Sequence, residues 1–297
     1  MPPVPTPLPP GVTLGPGRNE LPRVLVNTPQ AMGEVYLHGA HLTAWQPAGA
    51  APVIWLSRDS VFEAHKPIRG GVPICFPWFA AHATDSAAPM HGFARLAEWH
   101  LADATSAGGA VHLSFVLADE DDETSGKPAW PHRFRAEFRV SLGETLGMAL
   151  DVSNPGDAPL SYEAALHTYF VVGDIRHVTV TGLTGTDYLD KVEGLVRKRQ
   201  GDAPIAFAGE TDRIYLDTEA TVVIHDPVLK RRIDVAKSGS YSTIIWNPWI
   251  DRARALPDFG DDQWTEMVCI ETANVRERAV TLEPGSHHLM TAAITVA

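Results

Sequence analysis

The chain has 297 residues, of which 44% are hydrophobic and 20% are charged, so it can fill a large core and is not compositionally disordered. It contains 24 Lys and Arg against 36 Asp and Glu, and the resulting formal charge of -12 opposes binding to nucleic acid and to anionic membrane surfaces. We therefore expect a globular protein whose partner is neither nucleic acid nor a membrane.

The N-terminal segment 1–17 is rich in proline, which predicts a flexible, extended tail. Its first residues lack the basic start and the continuous apolar run of a signal peptide. No stretch approaches the roughly 18 apolar residues of a membrane helix. Cys75 and Cys269 are the two cysteines, and their spacing suggests reduced thiols, not a disulfide framework. We expect a cytoplasmic protein, a monomer or weak homodimer, in which residues 18–297 form a single domain.

Strand-like segments recur along the chain. In Arg133–Val140 the even positions are apolar, an alternation typical of a strand with one face on a core and the other in water. Further segments rich in β-branched and aromatic residues, bounded by turn-forming residues, are 111–117, 146–152, 162–170, 177–181, 221–224, 241–246, 266–271, 279–283 and 289–296.

Helical signals are weak by comparison. Residues 60–65 and 258–264 are compatible with a turn or two of helix, and the clearest loops are 119–127 and 154–159. The 24 prolines favour turns over long helices, and no βαβ rhythm, internal repeat or long linker is visible. The pattern predicts an all-β fold, a large antiparallel β-sandwich with a few short helical turns.

Two arginines stand beside glycine-containing turns. Arg69 precedes Gly70 and Gly71, which would let the backbone approach a ligand closely, although a tight turn entering a buried strand explains the same pattern. Arg95 ends a second such turn, which begins at His91. Two guanidiniums on irregular backbone in an acidic chain are what bidentate capture of a phosphate group would require.

Two further residues are candidates for proton transfer. The predicted strand over 161–170 places His167 on the face away from the most apolar side chains. Two roles are compatible with that position: a structural hydrogen bond, and catalysis. Glu271 ends an apolar segment, and a carboxylate there is costly unless it is paired, functional or already in solvent.

The absence of other known motifs argues against several classes of site. The remaining histidines form no recognisable metal motif, and GxSxG, Walker A and dinucleotide-binding patterns are absent from the sequence. We therefore expect neither a metal nor another cofactor. Trp45, Trp78, Trp246 and Trp249 could stack on a sugar face, although core packing is the commoner use of tryptophan in a β protein.

Six blocks follow one another in the order found in a single enzyme family: they read IRGGVPICFPWF, HGFAR, YEAALHTYF, ETDRIY, WNPW and CIETANV. On these blocks, which run from about residue 69 to residue 275, the chain resembles the hexose-6-phosphate mutarotases, also called glucose-6-phosphate 1-epimerases, of the galactose mutarotase-like superfamily. The resemblance implies a large β-sandwich with an open sugar-binding face and exchange of the α and β anomers of a hexose 6-phosphate without a cofactor.

The resemblance also implies roles for individual residues. His167 corresponds to the catalytic histidine and Glu271 to the catalytic carboxylate. Arg69 and Arg95 correspond to the pair that contacts the substrate phosphate, and His91 belongs to the substrate-binding residues. The implied chemistry uses ionised Glu271 as the base at O1 and protonated His167 as the acid at O5, each charge stabilising the other.

The resemblance leaves alternatives open for the residues that bind the sugar hydroxyls. Asp212 looks like the aspartate that binds sugar hydroxyls, with Asp190 and Asp217 as nearby alternatives. Met90 stands where some family members have glutamine directly before the HGFAR block, so that hydroxyl contact is absent or supplied elsewhere.

Three other functions compete with this prediction. A non-catalytic sugar-phosphate-binding module would use the same pocket, and an aldose 1-epimerase for unphosphorylated hexose would have little use for paired arginines. Glycoside hydrolysis needs two carboxylates flanking the bond, and the sequence indicates no clear second partner for Glu271.

Overall fold

The computed structural model describes residues 7–119 and 129–297. The first strands in chain order are β1 Val12–Pro16, β2 Pro22–Asn27, β3 Ala31–Tyr36, β4 His41–Pro47, β5 Ile74–Cys75, β6 His100–Ala107, β7 Ala110–Ala118, β8 Arg135–Leu142, β9 Leu146–Ser153, β10 Leu160–Tyr162, β11 Ala164–Leu166 and β12 Tyr169–Val171. The remaining strands are β13 Thr179–Thr181, β14 Asp187–Asp190, β15 Val196–Arg199, β16 Ile205–Ala206, β17 Thr211–Leu216, β18 Val222–Asp226, β19 Arg231–Ser238, β20 Ser242–Asn247, β21 Met267–Asn274, β22 Val280–Leu282 and β23 His287–Val296.

Helices are short in the described part of the chain. The α-helix α1 covers Trp249–Arg254. The 3-10 turns are Arg18–Glu20, Ala94–Leu96, Ile175–His177, Gln263–Glu266 and Arg276–Arg278. Within residues 7–119 and 129–297, no helix is long and apolar enough to cross a membrane.

The strands form antiparallel sheets, as predicted. The larger two have the orders β16-β13-β18-β19-β23-β9-β8-β7-β6 and β15-β14-β17-β20-β21-β11-β5, the second with β12 also paired to β21. A four-stranded sheet has the order β1-β2-β3-β4, and β10 pairs with β22. The predicted all-β sandwich is confirmed.

The core explains why the alternating segments become strands. In β8 the buried residues include Ala136, Phe138 and Val140, the apolar positions of the predicted alternation. They join a cluster that also contains Phe170 of β12 and Ile270 of β21, so both large sheets contribute to one hydrophobic core. Burial of these side chains is the main favourable contribution to the fold.

Several local predictions need correction. Residues 60–65 form no helix, and Phe62 instead packs on Tyr36 with ring centroids 5.0 Å apart. In 258–264 the 3-10 turn begins only at Gln263, and α1 was not predicted. Helix signals this short are weaker than the tertiary packing that competes with them.

The predicted flexible tail also differs from the structure. Residues 12–16, inside the proposed segment 1–17, form β1 and pair with β2, where Val12 lies opposite Val26 and is buried. Residues 1–6 lie outside the described part of the chain. The loop predicted over 154–159 is present, whereas the one over 119–127 lies, apart from Asp119, outside the described residues.

Candidate active site

The register of the second large sheet brings His167 and Glu271 together. The strands β11 and β12 both pair with β21, and the register set by Leu166 opposite Thr272 continues across the gap between them. His167 lies in that gap and therefore faces Glu271. The predicted strand over 161–170 is thus three short strands, with the histidine at an interruption of the ladder.

The two side chains lie close together at the floor of a cavity. His167 Nε2 is 3.3 Å from Glu271 Oε1, and the side chains are 12% and 1% exposed, respectively. His167 Nδ1 and Glu271 Oε2 are buried and have no hydrogen-bond partner among the described residues. Glu271 therefore does not sit in solvent, the alternative left open by the sequence, and each group has one buried polar atom whose hydrogen bond is not made within the described chain.

Burial controls the protonation of this pair. It raises the pKa of Glu271 well above its ordinary value, and the nearby Asp212 carboxylate adds to the rise. Burial also lowers the pKa of His167 well below its ordinary value, and the charges of Arg69 and Arg95 act in the same direction. Burial therefore acts against the charged form of both groups, whereas the expectation from the sequence considered only the attraction between the two charges.

Arg69 reaches the same cavity from a glycine-rich loop. Gly71 has a φ of 66°, and a Cβ there would lie 2.4 Å from the carbonyl oxygen of Leu42, so the loop packs directly on β4. The glycines thus serve close packing against backbone, the tight-turn alternative of the two considered. Arg69 Nε donates to Asp258 Oδ1 at 3.1 Å, Nη2 lies 3.1 Å from the same oxygen, and Nη1 donates to the Tyr169 hydroxyl at 3.2 Å.

Arg95 differs from Arg69 in its partners. Its NH2 group donates to the Met90 carbonyl oxygen at 2.7 Å, while its Nε is buried without a hydrogen-bond partner in the described chain. Burial lowers the pKa of Arg95, and the nearby charge of Arg69 adds to the fall. No ion pair with a carboxylate of the described residues offsets its charge, which makes Arg95 the stronger candidate to bind an anion.

His91 lies beside the pair, next to the turn that carries Arg95. Its ring meets that of Phe79 at 4.7 Å and that of His167 at 6.0 Å between centroids. Burial lowers the pKa of His91 well below its ordinary value, with Arg95 as the next cause, so the ring is neutral. A neutral imidazole at the cavity wall can hydrogen-bond a hydroxyl group.

The structure separates the three candidate aspartates. Asp212 lines the cavity, and Lys191 Nζ donates to its Oδ2 at 2.5 Å. Asp190 pairs with Lys198 away from the cavity lining, and Asp217 pairs with Arg278 and is 58% exposed. Of the three, Asp212 is the one placed to contact a ligand.

Met90 occupies the rim of the cavity. The residue is 52% exposed and its thioether supplies no hydrogen-bond donor, so the contact expected of a glutamine there is absent from this position. Its carbonyl oxygen instead holds Arg95.

The cavity has a volume of about 710 Å³, in the range typical of small-molecule sites. Sequence reasoning missed several of its residues, namely Phe79, Tyr169, Lys191, Glu210, Arg252 and Leu256. Tyr169 has the same strand parity as His167, a signal that could have identified it. Glu210 and Arg252 gave no such signal. Glu210 directly precedes strand β17 and Arg252 lies in helix α1, and only the fold brings these two elements to the same cavity.

Among the described residues, no group of three or more His, Cys, Asp or Glu side chains is placed to hold a metal ion. The site instead combines a proton-carrying pair, two guanidiniums and a Lys191–Asp212 ion pair. This arrangement can move protons on a polar ligand while holding an anionic group elsewhere on it.

The chain is similar to known proteins over most of its length. A relative from Escherichia coli strain K12, named "Putative glucose-6-phosphate 1-epimerase", is 39% identical over 270 residues, which cover 91% of this chain and 89% of the relative. The crystal structure of a "putative mutarotase" from Salmonella typhimurium is 34% identical, with a TM-score of 0.90 over 99% of this chain and 96% of that one.

More distant structures share the fold alone. The galactose 1-epimerase of Lactobacillus acidophilus NCFM has a TM-score of 0.69 and 14% identity, covering 96% of this chain and 98% of that one.

The family profile described as Aldose 1-epimerase matches residues 22–295. The chain therefore belongs to the aldose 1-epimerase family.

Proposed function

We propose that this protein is a glucose-6-phosphate 1-epimerase, an isomerase that exchanges the α and β anomers of a hexose 6-phosphate. The observation that carries the proposal is the His167–Glu271 pair, 3.3 Å apart in a cavity that also holds the guanidiniums of Arg69 and Arg95. The E. coli relative's name supports the same activity and substrate.

The reaction needs two coordinated proton transfers. In ring opening, Glu271 takes the proton from O1 as the C1–O5 bond breaks, and His167 gives a proton to O5. Rotation about C1–C2 then presents the other face of the aldehyde, and closure returns both protons. A base and an acid placed at the two oxygens suffice.

Burial favours the product side of the opening step. The pair starts as carboxylate and imidazolium and ends as neutral carboxyl and neutral imidazole, with one proton on the pair in both states. Because desolvation raises the pKa of Glu271 and lowers that of His167, it destabilises the charged starting pair relative to the neutral pair. Opening therefore discharges two buried groups, and closure, in which the same two groups reverse their roles, charges them again.

The charge of the cavity supports a phosphorylated substrate. Its lining contains four basic residues, Arg69, Arg95, Lys191 and Arg252, against three acidic ones, Glu210, Asp212 and Glu271. The whole chain, by contrast, carries a formal charge of -12. This local excess of positive charge favours a phosphate at C6, which does not react and serves to position O1 and O5.

The test follows anomer exchange by NMR with glucose 6-phosphate and free glucose in parallel. We expect a higher kcat/KM for the phosphorylated sugar, and we expect Glu271→Gln to reduce kcat by about 10²-fold or more, as for loss of a general base. Equal kcat/KM values would favour an aldose 1-epimerase for free hexose. Binding without exchange in the wild-type protein would favour a non-catalytic sugar-phosphate module.

The phosphate contact has its own test. Arg69→Ala and Arg95→Ala should each raise KM for glucose 6-phosphate far more than KM for glucose, because free glucose lacks the anion. We expect the larger effect at Arg95, since Asp258 already pairs with Arg69. Equal losses on both sugars would contradict a phosphate role for these arginines.

A further inference from the structure

Tyr169 contacts both His167 and Arg69. Its ring stacks on the imidazole of His167, with centroids 4.8 Å apart and planes 13° apart, and also stacks on Trp55 at 5.6 Å. Its hydroxyl accepts a hydrogen bond from Arg69 NH1 at 3.2 Å. The residue is 1% exposed, so the ring has little freedom to move.

His167 depends on this ring because few polar contacts orient it. Its Nδ1 has no hydrogen-bond partner in the described part of the chain, and the 3.3 Å from Nε2 to Glu271 is long for a charge-assisted hydrogen bond. In acid–base sites the second ring nitrogen ordinarily makes the hydrogen bond that orients the imidazole. Here the face of Tyr169, with the rings of Trp246 and His91 both 6.0 Å away, fixes its plane.

Arg69 depends on the other end of the same side chain. Asp258 Oδ1 contacts both Nε and Nη2 at 3.1 Å, and the Tyr169 hydroxyl contacts Nη1, so all three nitrogens of the guanidinium are held. Burial raises the pKa of Tyr169, and the hydroxyl therefore stays neutral while it accepts this hydrogen bond. A planar guanidinium anchored in this way loses little further entropy when it binds an anion.

We propose that Tyr169 is a positioning residue that holds His167 with its ring and Arg69 with its hydroxyl, and so sets the separation between the acid and the anion-binding group. The identity of that anion as a C6 phosphate rests on the proposed function. The effect of the ring on His167 applies to any hexose, and substitution can separate it from the effect of the hydroxyl.

Two variants separate these effects in the anomer-exchange assay. Tyr169→Phe keeps the ring and removes the hydroxyl, so KM for glucose 6-phosphate should rise about 2- to 10-fold, the range for one lost hydrogen bond, and kcat for both sugars should fall less than in the variant without the ring. Tyr169→Leu removes the stack as well, so kcat for both sugars should fall about 10-fold or more, because the general acid is misaligned.

Each outcome supports or overturns one part of the proposal. An unchanged KM for glucose 6-phosphate in Tyr169→Phe would overturn the role of the hydroxyl, and equal kcat values in the Phe and Leu variants would overturn the role of the ring. Thermal unfolding of both variants shows whether they fold, and losses of kcat that disappear at lower temperature would mean a structural role only.

The wild-type protein tests the proposed function separately. If it turned over glucose and glucose 6-phosphate with equal kcat/KM, the preference for a phosphorylated substrate would be wrong. The comparison of the Phe and Leu variants on free glucose would still decide whether the Tyr169 ring positions His167.

Discussion

Three influences act on the imidazole of His167 in the same direction. Burial lowers its pKa first, and Arg69 and Arg95 each disfavour the imidazolium further. A phosphate bound between the guanidiniums would offset the two charges while leaving the burial unchanged. Anion binding would therefore raise the pKa of His167 and favour the imidazolium, which is the acid that ring opening requires.

This charge effect predicts a shift in the pH profile. The acid limb of kcat/KM reports a second proton on the pair, which enters on His167 once Glu271 is protonated. Because the pKa of His167 is lowered, we expect this limb below pH 6.5 in the wild-type protein. Arg95→Gln removes a nearby positive charge and should move the limb to higher pH, measured with free glucose so that substrate phosphate does not titrate.

Arg95→Lys is the matched control for that measurement. It retains the charge but not the guanidinium, so its acid limb should coincide with that of the wild-type protein while its KM for glucose 6-phosphate rises. A Gln variant whose limb stays in place would show that Arg95 does not act on His167 through its charge.

At the scale of elements, the site depends on how the loop after Arg69 packs against β4. Gly71 is in the left-handed region, and its N–H donates to the Trp55 carbonyl oxygen at 2.7 Å. His41 of β4 contacts the same loop, since its Nε2 lies 2.8 Å from the Gly70 carbonyl oxygen. Arg69 is thus placed by backbone contacts made two residues further along the chain.

Gly71→Ala should disturb that placement. A Cβ at this position would lie 2.4 Å from Leu42 O and from His41 Nε2, so we expect the free energy of unfolding to fall by about 1–3 kcal/mol or more. KM for glucose 6-phosphate should also rise, because Arg69 moves. Urea unfolding and the anomer-exchange assay measure the two effects.

Gly49→Ala provides the comparison. Gly49 also has a positive φ, of 76°, but a Cβ there would meet nothing within 4 Å, so its variant carries backbone strain alone. We expect a smaller loss of stability and no change in KM. If both variants lost the same stability and activity, close packing of the loop would not be what positions Arg69.

At the scale of the whole molecule, core side chains and candidate active-site side chains lie on opposite faces of the same strand. Ile270 and Glu271 are neighbours in β21 and point to opposite faces, Ile270 into the hydrophobic core and Glu271 into the cavity. The core side is shared with the nine-stranded sheet, where Phe138 of β8 is fully buried. Core substitutions in that sheet should therefore alter stability without altering the proton-carrying pair.

Phe138→Ala tests this separation. We expect the free energy of unfolding to fall by about 3–5 kcal/mol, as for other large-to-small substitutions of buried phenylalanine. Below the lowered melting temperature, kcat and KM for both sugars should match those of the wild-type protein. A change in kcat at full folding would mean that the sheets transmit core packing to the site.

Much of the fold could be predicted from local pattern. The alternation in Arg133–Val140 identified β8 and its buried face, and each of the other predicted strand segments overlaps an observed strand. Alternation is a property of residues adjacent in the sequence, so it can be recognised without knowledge of the fold. The helical turn predicted over 60–65 was wrong and α1 was not predicted, because segments of a turn or two take their structure from tertiary contacts such as Phe62 on Tyr36.

The sequence by itself determined the fold class and, through its ordered blocks, the family and the identities of His167, Glu271, Arg69 and Arg95 as candidates. Only the tertiary structure decided their surroundings: the 3.3 Å contact of the pair, the burial that acts against both charged forms, and the partners of Arg69, among them Asp258, 189 positions away. The reason is that pKa values and ion pairs depend on distance and desolvation in space, which neighbours along the chain do not specify.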